Sequence, residues 1–303
     1  MTPDPIHTLA DLDTWSFPGT ALAVLGHPIK HSVSPPMHNA ALAVMTNSDP
    51  RFASWKYFRF DIAPEDLPVA LAKFHACGFQ GLNLTVPHKI IAFDRVAAID
   101  PAAQPIGAVN TLRRTAAGWH GYNTDGYGLA AAIREDLGRE LSGSHVLLLG
   151  AGGAARSAAV ECIQRGCASL TILNRTPKAM DQLIELVSTL DAKVPLRGLA
   201  LDDLSTIPAG SLVINATSAG LKPEDPLPLN LKSIARPAGV YDMIYNPPET
   251  ALLAQARALG IPCANGLGML VHQGARALEI WSGAAVPVDA MRAAVHSAMK
   301  THA

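Results

Sequence analysis

The chain has 303 residues, about twice the length of an average domain, so two domains of roughly 100–200 residues each are expected. Hydrophobic residues make up 49% and charged residues 16%, well below the usual charged share of about 25%, which excludes disorder driven by charge excess. With 24 Lys and Arg against 25 Asp and Glu the net charge is −1; this offers no diffuse positive field, so no nucleic acid or acidic-lipid partner is expected.

The first stretch, Met1 to Trp15, is acidic and broken by Pro3 and Pro5, unlike a signal peptide. From about residue 20 onward, strand-like and helical segments alternate, the pattern of βαβ units around a parallel sheet, so the fold class is α/β. Ala21 to Gly26 reads as a buried strand, Pro35 to Met45 as a helix, Trp55 to Asp61 as a strand, Pro64 to Cys77 as a helix and Gly81 to Val86 as a strand. A helix of about two turns follows Pro87, then an edge segment at Ala108 to Arg114, a turn at Ala116 to Gly118, and the segment Trp119 to Gly128.

Gly128 to Leu137 reads as a helix, and Ser144 to Leu149 as an unbroken apolar strand that runs into a glycine cluster and a further helix. Next come strand Leu170 to Asn174, helix Lys178 to Leu190, strands Leu212 to Ala216 and Gly239 to Asp242, helix Thr250 to Leu259 and a short strand near Pro262. Two helices close the chain, Gly268 to Gly283 and one from Val288. The expected domains are 1–124 for substrate, 125–265 for a dinucleotide, and 266–303 as C-terminal helices returning to the first, with the active site in the cleft between.

No apolar run approaches the roughly 20 residues that span a bilayer, so no membrane partner is expected. Cys77, Cys162, Cys167 and Cys263 fall in no metal or disulfide spacing, and no metal motif joins His27, His31 and His38. No metal is expected, and a reducing cytoplasm fits best.

The phrase from Val146 to Ser157 holds Gly150, Ala151, Gly152, Gly153, Ala154 and Ala155 between a buried strand and a helix, as the dinucleotide fingerprint G-x-G-x-x-G/A requires. Gly150 permits the tight turn, Gly152 lets backbone N–H groups approach a pyrophosphate, and Ala155 keeps the helix close to the strand. The helix N-terminus then favours the phosphates. At the end of the next strand, where an acidic residue would read the ribose of NAD, stand Asn174, Arg175 and Thr176. Arg175 can pair with a 2′-phosphate in forked geometry and Thr176 can add a hydroxyl, which selects NADP; the alternative is a surface cation flanked by turn residues.

Four phrases in the first half carry polar groups suited to a small hydroxyl-rich ligand. In the first, Ser34 either caps the helix beginning at Pro35 or binds a ligand, while Ser32 has no capping role. In the second, Asn83 and Thr85 share a strand face and Lys89 sits in the first turn of a helix, where the macrodipole favours anions. The third offers Asn110, and in the fourth Asp125 either caps the following helix or does chemistry.

These phrases, in this order, resemble the shikimate dehydrogenase family: S-x-S-P at Ser32, N-x-T-V-P-x-K at Asn83, A-V-N-T at Ala108 and N-T-D-x-x-G at Asn123. They continue with G-A-G-G-A-A-R at Gly150, N-R-T at Asn174, then Asn215 to Gly220, Asp242 to Pro247, and Gly266 to Gln273. The resemblance runs from Gly26 to Trp281 and implies an NADP-linked oxidoreductase that interconverts 3-dehydroshikimate and shikimate in aromatic amino acid (chorismate) biosynthesis. It implies an N-terminal α/β substrate domain, a Rossmann-like NADP domain, and a monomer or homodimer.

By that resemblance Lys89 and Asp125 are the catalytic pair, and Ser32, Ser34, Thr85, Asn110, Tyr245 and Gln273 hold the substrate. Gly150 to Ala155, Asn174, Arg175, Thr176, Lys178, Thr217, Met243 and Gly266 form the cofactor site. Two features depart from the family pattern: Lys178 and Ala179 stand where a second arginine is common, and an extension of roughly 20 residues precedes the first phrase. Reduction of a ketone by hydride leaves an alkoxide, which a positioned proton donor neutralises. A lysine is protonated at neutral pH, and a nearby aspartate keeps it so. In the oxidising direction the two groups titrate as a unit, and either can be the base.

Overall fold

Two sheets organise the protein in the computed structural model, which describes residues 5–85, 87–191, 193–199 and 204–302. Each sheet belongs to one of two units defined by contacts: Met1–Thr124 with Gln273–Ala303, and Asp125–His272.

The first unit holds β1 (Ile6–Thr8), β2 (Thr20–Gly26), α1 (Ser34–Met45), β3 (Trp55–Asp61), α2 (Leu67–Ala76), β4 (Gly81–Leu84), α3 (His88–Ile91), β5 (Ala98–Ile99), β6 (Thr111–Thr115) and β7 (Gly118–Tyr122). The seven strands lie in the order β1-β3-β2-β4-β6-β7-β5. β1, β3, β2 and β4 are parallel, whereas β6 runs antiparallel to both β4 and β7. Residues 21–26 of β2 are all buried, because a parallel strand covered on both faces cannot alternate apolar with polar side chains. Phe60, Phe79, Leu82, Leu112 and Trp119 pack with Phe74 of α2 in the core of this unit.

The second unit holds α4 (Asp125–Leu137), β8 (His145–Leu149), α5 (Gly153–Gln164), β9 (Ser169–Leu173), α6 (Pro177–Ser188), β10 (Leu196–Leu199), β11 (Leu212–Asn215), β12 (Gly239–Asp242), α7 (Ala251–Ala258) and β13 (Cys263–Asn265). All six strands are parallel, in the order β10-β9-β8-β11-β12-β13. Numbered from β8, that is 3-2-1-4-5-6, the doubly wound dinucleotide-binding order whose direction reverses between β8 and β11.

Helix α8 (Leu267–Ser282) begins in the second unit and ends in the first, where α9 (Val288–His302) packs along α1. Its opening turn is anchored by Met269 N, which donates to the Tyr241 hydroxyl at 3.0 Å, and by Gly268 against Ala132 of α4; His272 pairs with Glu135. From Gln273 onward the anchors change: Gly274 abuts Met37 and His38 of α1, and Trp281 covers Gly81 and donates to the Leu112 carbonyl at 2.9 Å. Residues 266–272 therefore group with the second unit, whereas the sequence reading returned the chain to the first domain at 266.

Other expectations shift for local reasons. The strand from Gly81 ends at Leu84, Val86 lies outside the described residues, and the helix after Pro87 is the four-residue α3 followed by a 3-10 turn at Phe93–Arg95. The segment read as an edge, Ala108 to Arg114, is interior: β6 sits between β4 and β7, and β5 covers β7. Helix α4 starts at Asp125 rather than Gly128. β1 and β10 were not anticipated, since one is three residues long beside Pro5 and the other is an edge strand containing Gly198. Among the described residues, no helix is long and apolar enough to cross a membrane.

Candidate functional site

The first-unit candidates gather at one end of the sheet. Ser32 and Ser34 follow β2, Thr85 and Lys89 follow β4, and Asn110 precedes β6, which runs antiparallel to β4 with Asn83 opposite Thr111. This is the carboxyl end of the parallel strands, where ligands of open α/β sheets bind. Main-chain bonds hold the pieces together: Thr85 N donates to the Leu25 carbonyl at 3.0 Å, and Val109 N to the Lys89 carbonyl at 2.9 Å. A β-carbon on Gly26 would lie 2.4 Å from the Thr85 methyl, so only glycine lets β2 and the end of β4 approach this closely.

Ser34 is not a helix cap. It is the first residue of α1, and the capping position is Val33, whose side chain makes no capping bond. Ser32, for which the sequence offered no local role, accepts the Ser34 N–H at 3.3 Å. Asn110 is buried and locked: Nδ2 donates to Thr124 Oγ1 at 3.0 Å, and Oδ1 accepts from Thr124 N at 2.9 Å and Thr111 Oγ1 at 3.0 Å. Lys89 is half-buried in α3. Gln273 is half-buried in α8 beside Gly274, which abuts His38.

Beneath these residues lies a polar layer that sequence reading missed. The Tyr57 hydroxyl donates to Asn83 Oδ1 at 2.8 Å, and Asn83 Nδ2 donates to the Asn110 carbonyl at 3.2 Å and Thr111 Oγ1 at 3.0 Å. His38 stacks on Tyr57 with ring centres 4.1 Å apart. Burial pushes the Tyr57 phenol up and the His38 imidazole down to about 4.

Asp125 and Tyr245 belong to the second unit. Asp125 opens α4, where its carboxylate suits the helix dipole. Tyr245 follows β12 and is half-buried, with its phenol pushed up by burial.

The dinucleotide candidates meet at the point where the strand order reverses. Gly150 has φ +107°, and a β-carbon there would lie 3.0 Å from the Thr217 methyl and 3.2 Å from the Ala216 carbonyl, so the turns after β8 and β11 touch. Ala155 is fully buried, whereas β-carbons on Gly152 and Gly153 at the start of α5 would meet nothing within 4 Å. Open space over the N-terminus of a twelve-residue helix fits a pyrophosphate. Ala151 is half-buried and Ala154 exposed in the same turn.

At the end of β9, Arg175, Thr176 and Lys178 are exposed, and Asn174 Nδ2 donates to the Thr176 carbonyl at 2.9 Å. Thr176 precedes α6 without capping it. Among the described residues, neither Arg175 nor Lys178 takes part in an ion pair.

Thr217, Met243 and Gly266 are tied together through a buried acid. Thr217 donates from N and Oγ1 to Asn215 Oδ1 at 3.1 and 2.7 Å, and Asn215 Nδ2 donates to Asp242 at 3.0 Å. Asp242 also accepts from Ile244 N at 3.1 Å and Thr250 Oγ1 at 2.6 Å. Burial pushes its carboxyl up, and these donors oppose the shift. Gly266 N donates to the Ile244 carbonyl at 3.0 Å.

Family models match along most of the chain: the shikimate dehydrogenase substrate binding domain over residues 24–112, shikimate / quinate 5-dehydrogenase over 131–222, and the shikimate 5'-dehydrogenase C-terminal domain over 266–296. Shikimate dehydrogenase (NADP(+)) of Moorella thermoacetica is 42% identical over 284 residues, covering 92% of this chain and 93% of the relative. The enzyme of the same name from Synechocystis sp. is 41% identical over 279 residues, covering 90% and 94%. Among solved structures, shikimate 5-dehydrogenase from Thermus thermophilus, in complex with NADP(H) and shikimate, superposes with a TM-score of 0.80 at 34% identity, covering 92% of this chain and 99% of that one. With the fold, the glycine turn and the ordered polar phrases already in place, these matches make the chain a member of the shikimate dehydrogenase family.

Proposed function

We propose that this protein is an NADP-dependent oxidoreductase that reversibly reduces 3-dehydroshikimate to shikimate, a step of aromatic amino acid biosynthesis, in the reducing cytoplasm that suits its four free thiols. The observation that carries the reading is the gathering of Ser32, Ser34, Thr85, Lys89 and Asn110 at the carboxyl end of one sheet. Several hydroxyl and amide groups on fixed backbone suit a ring bearing a carboxylate and hydroxyls. A site of this kind rejects analogues lacking a hydroxyl by about 10⁴–10⁵.

The cofactor, when bound, supplies the hydride. The Lys89 ammonium donates a proton to the substrate oxygen as negative charge builds there, and Asp125 keeps the amine charged. In the oxidising direction the same pair takes the proton back. Ser32, Ser34, Thr85, Asn110, Tyr245 and Gln273 orient the ring. Gly150 to Ala155 accept the pyrophosphate; Asn174, Arg175, Thr176 and Lys178 hold the 2′-phosphate; and Thr217, Met243 and Gly266 border the nicotinamide.

The direct test mixes purified protein with shikimate or quinate and either NADP or NAD, and follows absorbance of the reduced nicotinamide. Fastest turnover with shikimate and NADP is expected. No turnover with that pair, or faster turnover with quinate and NAD, would overturn the assignment.

A further inference from the structure

Each hydrogen bond around the buried Asp242 carboxylate has a fixed direction. Thr217 N can only donate, so the Asn215 amide oxygen that receives it at 3.1 Å faces Thr217, and the amide nitrogen faces Asp242 Oδ1 at 3.0 Å. The Thr217 hydroxyl accepts from Ala219 N at 3.1 Å and sends its own proton to Asn215 Oδ1 at 2.7 Å. Ile244 N donates to Asp242 Oδ1 at 3.1 Å, and Thr250 Oγ1, which accepts from Leu253 N, donates to Oδ2 at 2.6 Å. All three of these partners of the carboxylate are donors, and the residue is 0% exposed. The two oxygens divide the work: Oδ1 joins the turn after β11 to the turn after β12, while Oδ2 holds the start of α7.

We infer that Asp242 is a positioning residue for the cofactor: through Asn215 it sets the Thr217 turn, and through Ile244 N it sets the turn that carries Met243. The inference rests on the proposed placement of Thr217 and Met243 beside the nicotinamide. A second link between the turns, from Met243 N to the Asn215 carbonyl at 2.9 Å, is main-chain and by itself does not orient the Asn215 side chain. Asp242 Oδ1 supplies that orientation. A buried donor left without its acceptor costs more than the bond itself is worth, so Asn215 and Ile244 N both stay on this one oxygen and the two turns keep one geometry. Fully buried, the carboxylate acts through Asn215 and the main chain rather than by touching the cofactor.

Direct binding, measured well below each Tm, separates this role from simple stabilisation. The probes are NADPH, followed by its fluorescence, and adenosine 2′,5′-bisphosphate, which lacks the nicotinamide half, followed by calorimetry. Asp242→Ala removes both arms of the network. It should lower Tm and raise the NADPH Kd about five- to tenfold, the scale of one net hydrogen bond, with the bisphosphate Kd within about twofold of wild type. Asp242→Asn keeps an oxygen that accepts from Asn215 and Ile244 and loses only the bond from Thr250, as does Thr250→Val. Both should lower Tm yet leave the NADPH Kd unchanged. Should Asp242→Ala not fold, Asn215→Leu, which leaves the Thr250 bond in place, should give the same rise for NADPH alone. An unchanged NADPH Kd in Asp242→Ala or Asn215→Leu, an equal rise for both probes, or a rise in Asp242→Asn or Thr250→Val that follows the loss of Tm would overturn the inference while leaving the proposed function standing. If the wild-type protein does not bind NADPH, the cofactor reading fails, and this inference fails with it.

Discussion

The α-carbon of Gly266 lies so close to the main chain of Met243 that a β-carbon there would sit 2.1 Å from the Met243 carbonyl oxygen. No rotamer change relieves a clash with backbone, so any larger residue must push β13 away from the turn after β12. Gly266→Ala should destabilise the protein by at least the 1–3 kcal/mol typical of overpacking, seen as a lower Tm. It should also weaken NADPH binding, because Met243 would move with the turn. Thermal unfolding with and without NADPH checks both; an unchanged Tm would show that the turn yields freely.

Removing either member of the proposed proton-transfer pair should affect turnover far more than cofactor affinity. Lys89→Ala and Asp125→Asn should each lower kcat by at least about 10²-fold, the lower range for general acid–base catalysis. The glycine turn and the end of β9 remain intact in both, so the NADPH Kd should stay within about twofold. Near-normal turnover in either variant would remove that residue from the mechanism.

Arg175 separates the two nicotinamide cofactors. Its guanidinium is exposed at the end of β9 and, among the described residues, outside any ion pair, so its loss should cost little stability. A charge-assisted bond to a phosphate is worth about 1.5–3 kcal/mol. Arg175→Ala should therefore raise the NADPH KM by about 10- to 100-fold and leave the NADH KM nearly unchanged. Lys178→Ala should act in the same direction more weakly, since a lysine offers a point charge rather than a fork. Equal effects on both cofactors would show that neither residue reads the 2′-phosphate.

Much of this was legible in sequence because it is local. The apolar run of β2 and the strand–glycine–helix phrase at Gly150 declare themselves within a dozen residues, and the alternation of elements after Ser144 marks a parallel sheet, although its edge strand β10 does not show. What stayed hidden depends on partners distant in the chain. Nothing near Tyr57 announces that its hydroxyl bonds Asn83, 26 residues away. Asp242 reads as the polar end of a strand, yet it is a fully buried acid bridging Asn215 and Thr250. The helix that changes units between His272 and Gln273 has no break in sequence to mark the change.

His38 gives the protein a specific acid sensitivity. Its ring is fully buried between Tyr57 and Gly274 and titrates at about 4, chiefly because burial disfavours the charged form. In the unfolded chain a histidine titrates near 6.5. Between these values the unfolded state binds the extra proton, so stability rises with pH across this window, is complete above about 6.5, and is lost as pH falls toward about 4. The full contribution is of the order of 3 kcal/mol, at 1.36 kcal/mol for each unit of separation. A His38→Phe variant keeps an aromatic ring against Tyr57 but cannot titrate. Urea unfolding at several pH values between 4 and 7 should show its stability depending less steeply on pH than the wild type, by up to one proton. At pH 7 the variant should be less stable, having lost the bond to the Ser34 carbonyl. A variant with the wild-type slope would show that other groups, such as the exposed carboxylates, carry the acid sensitivity.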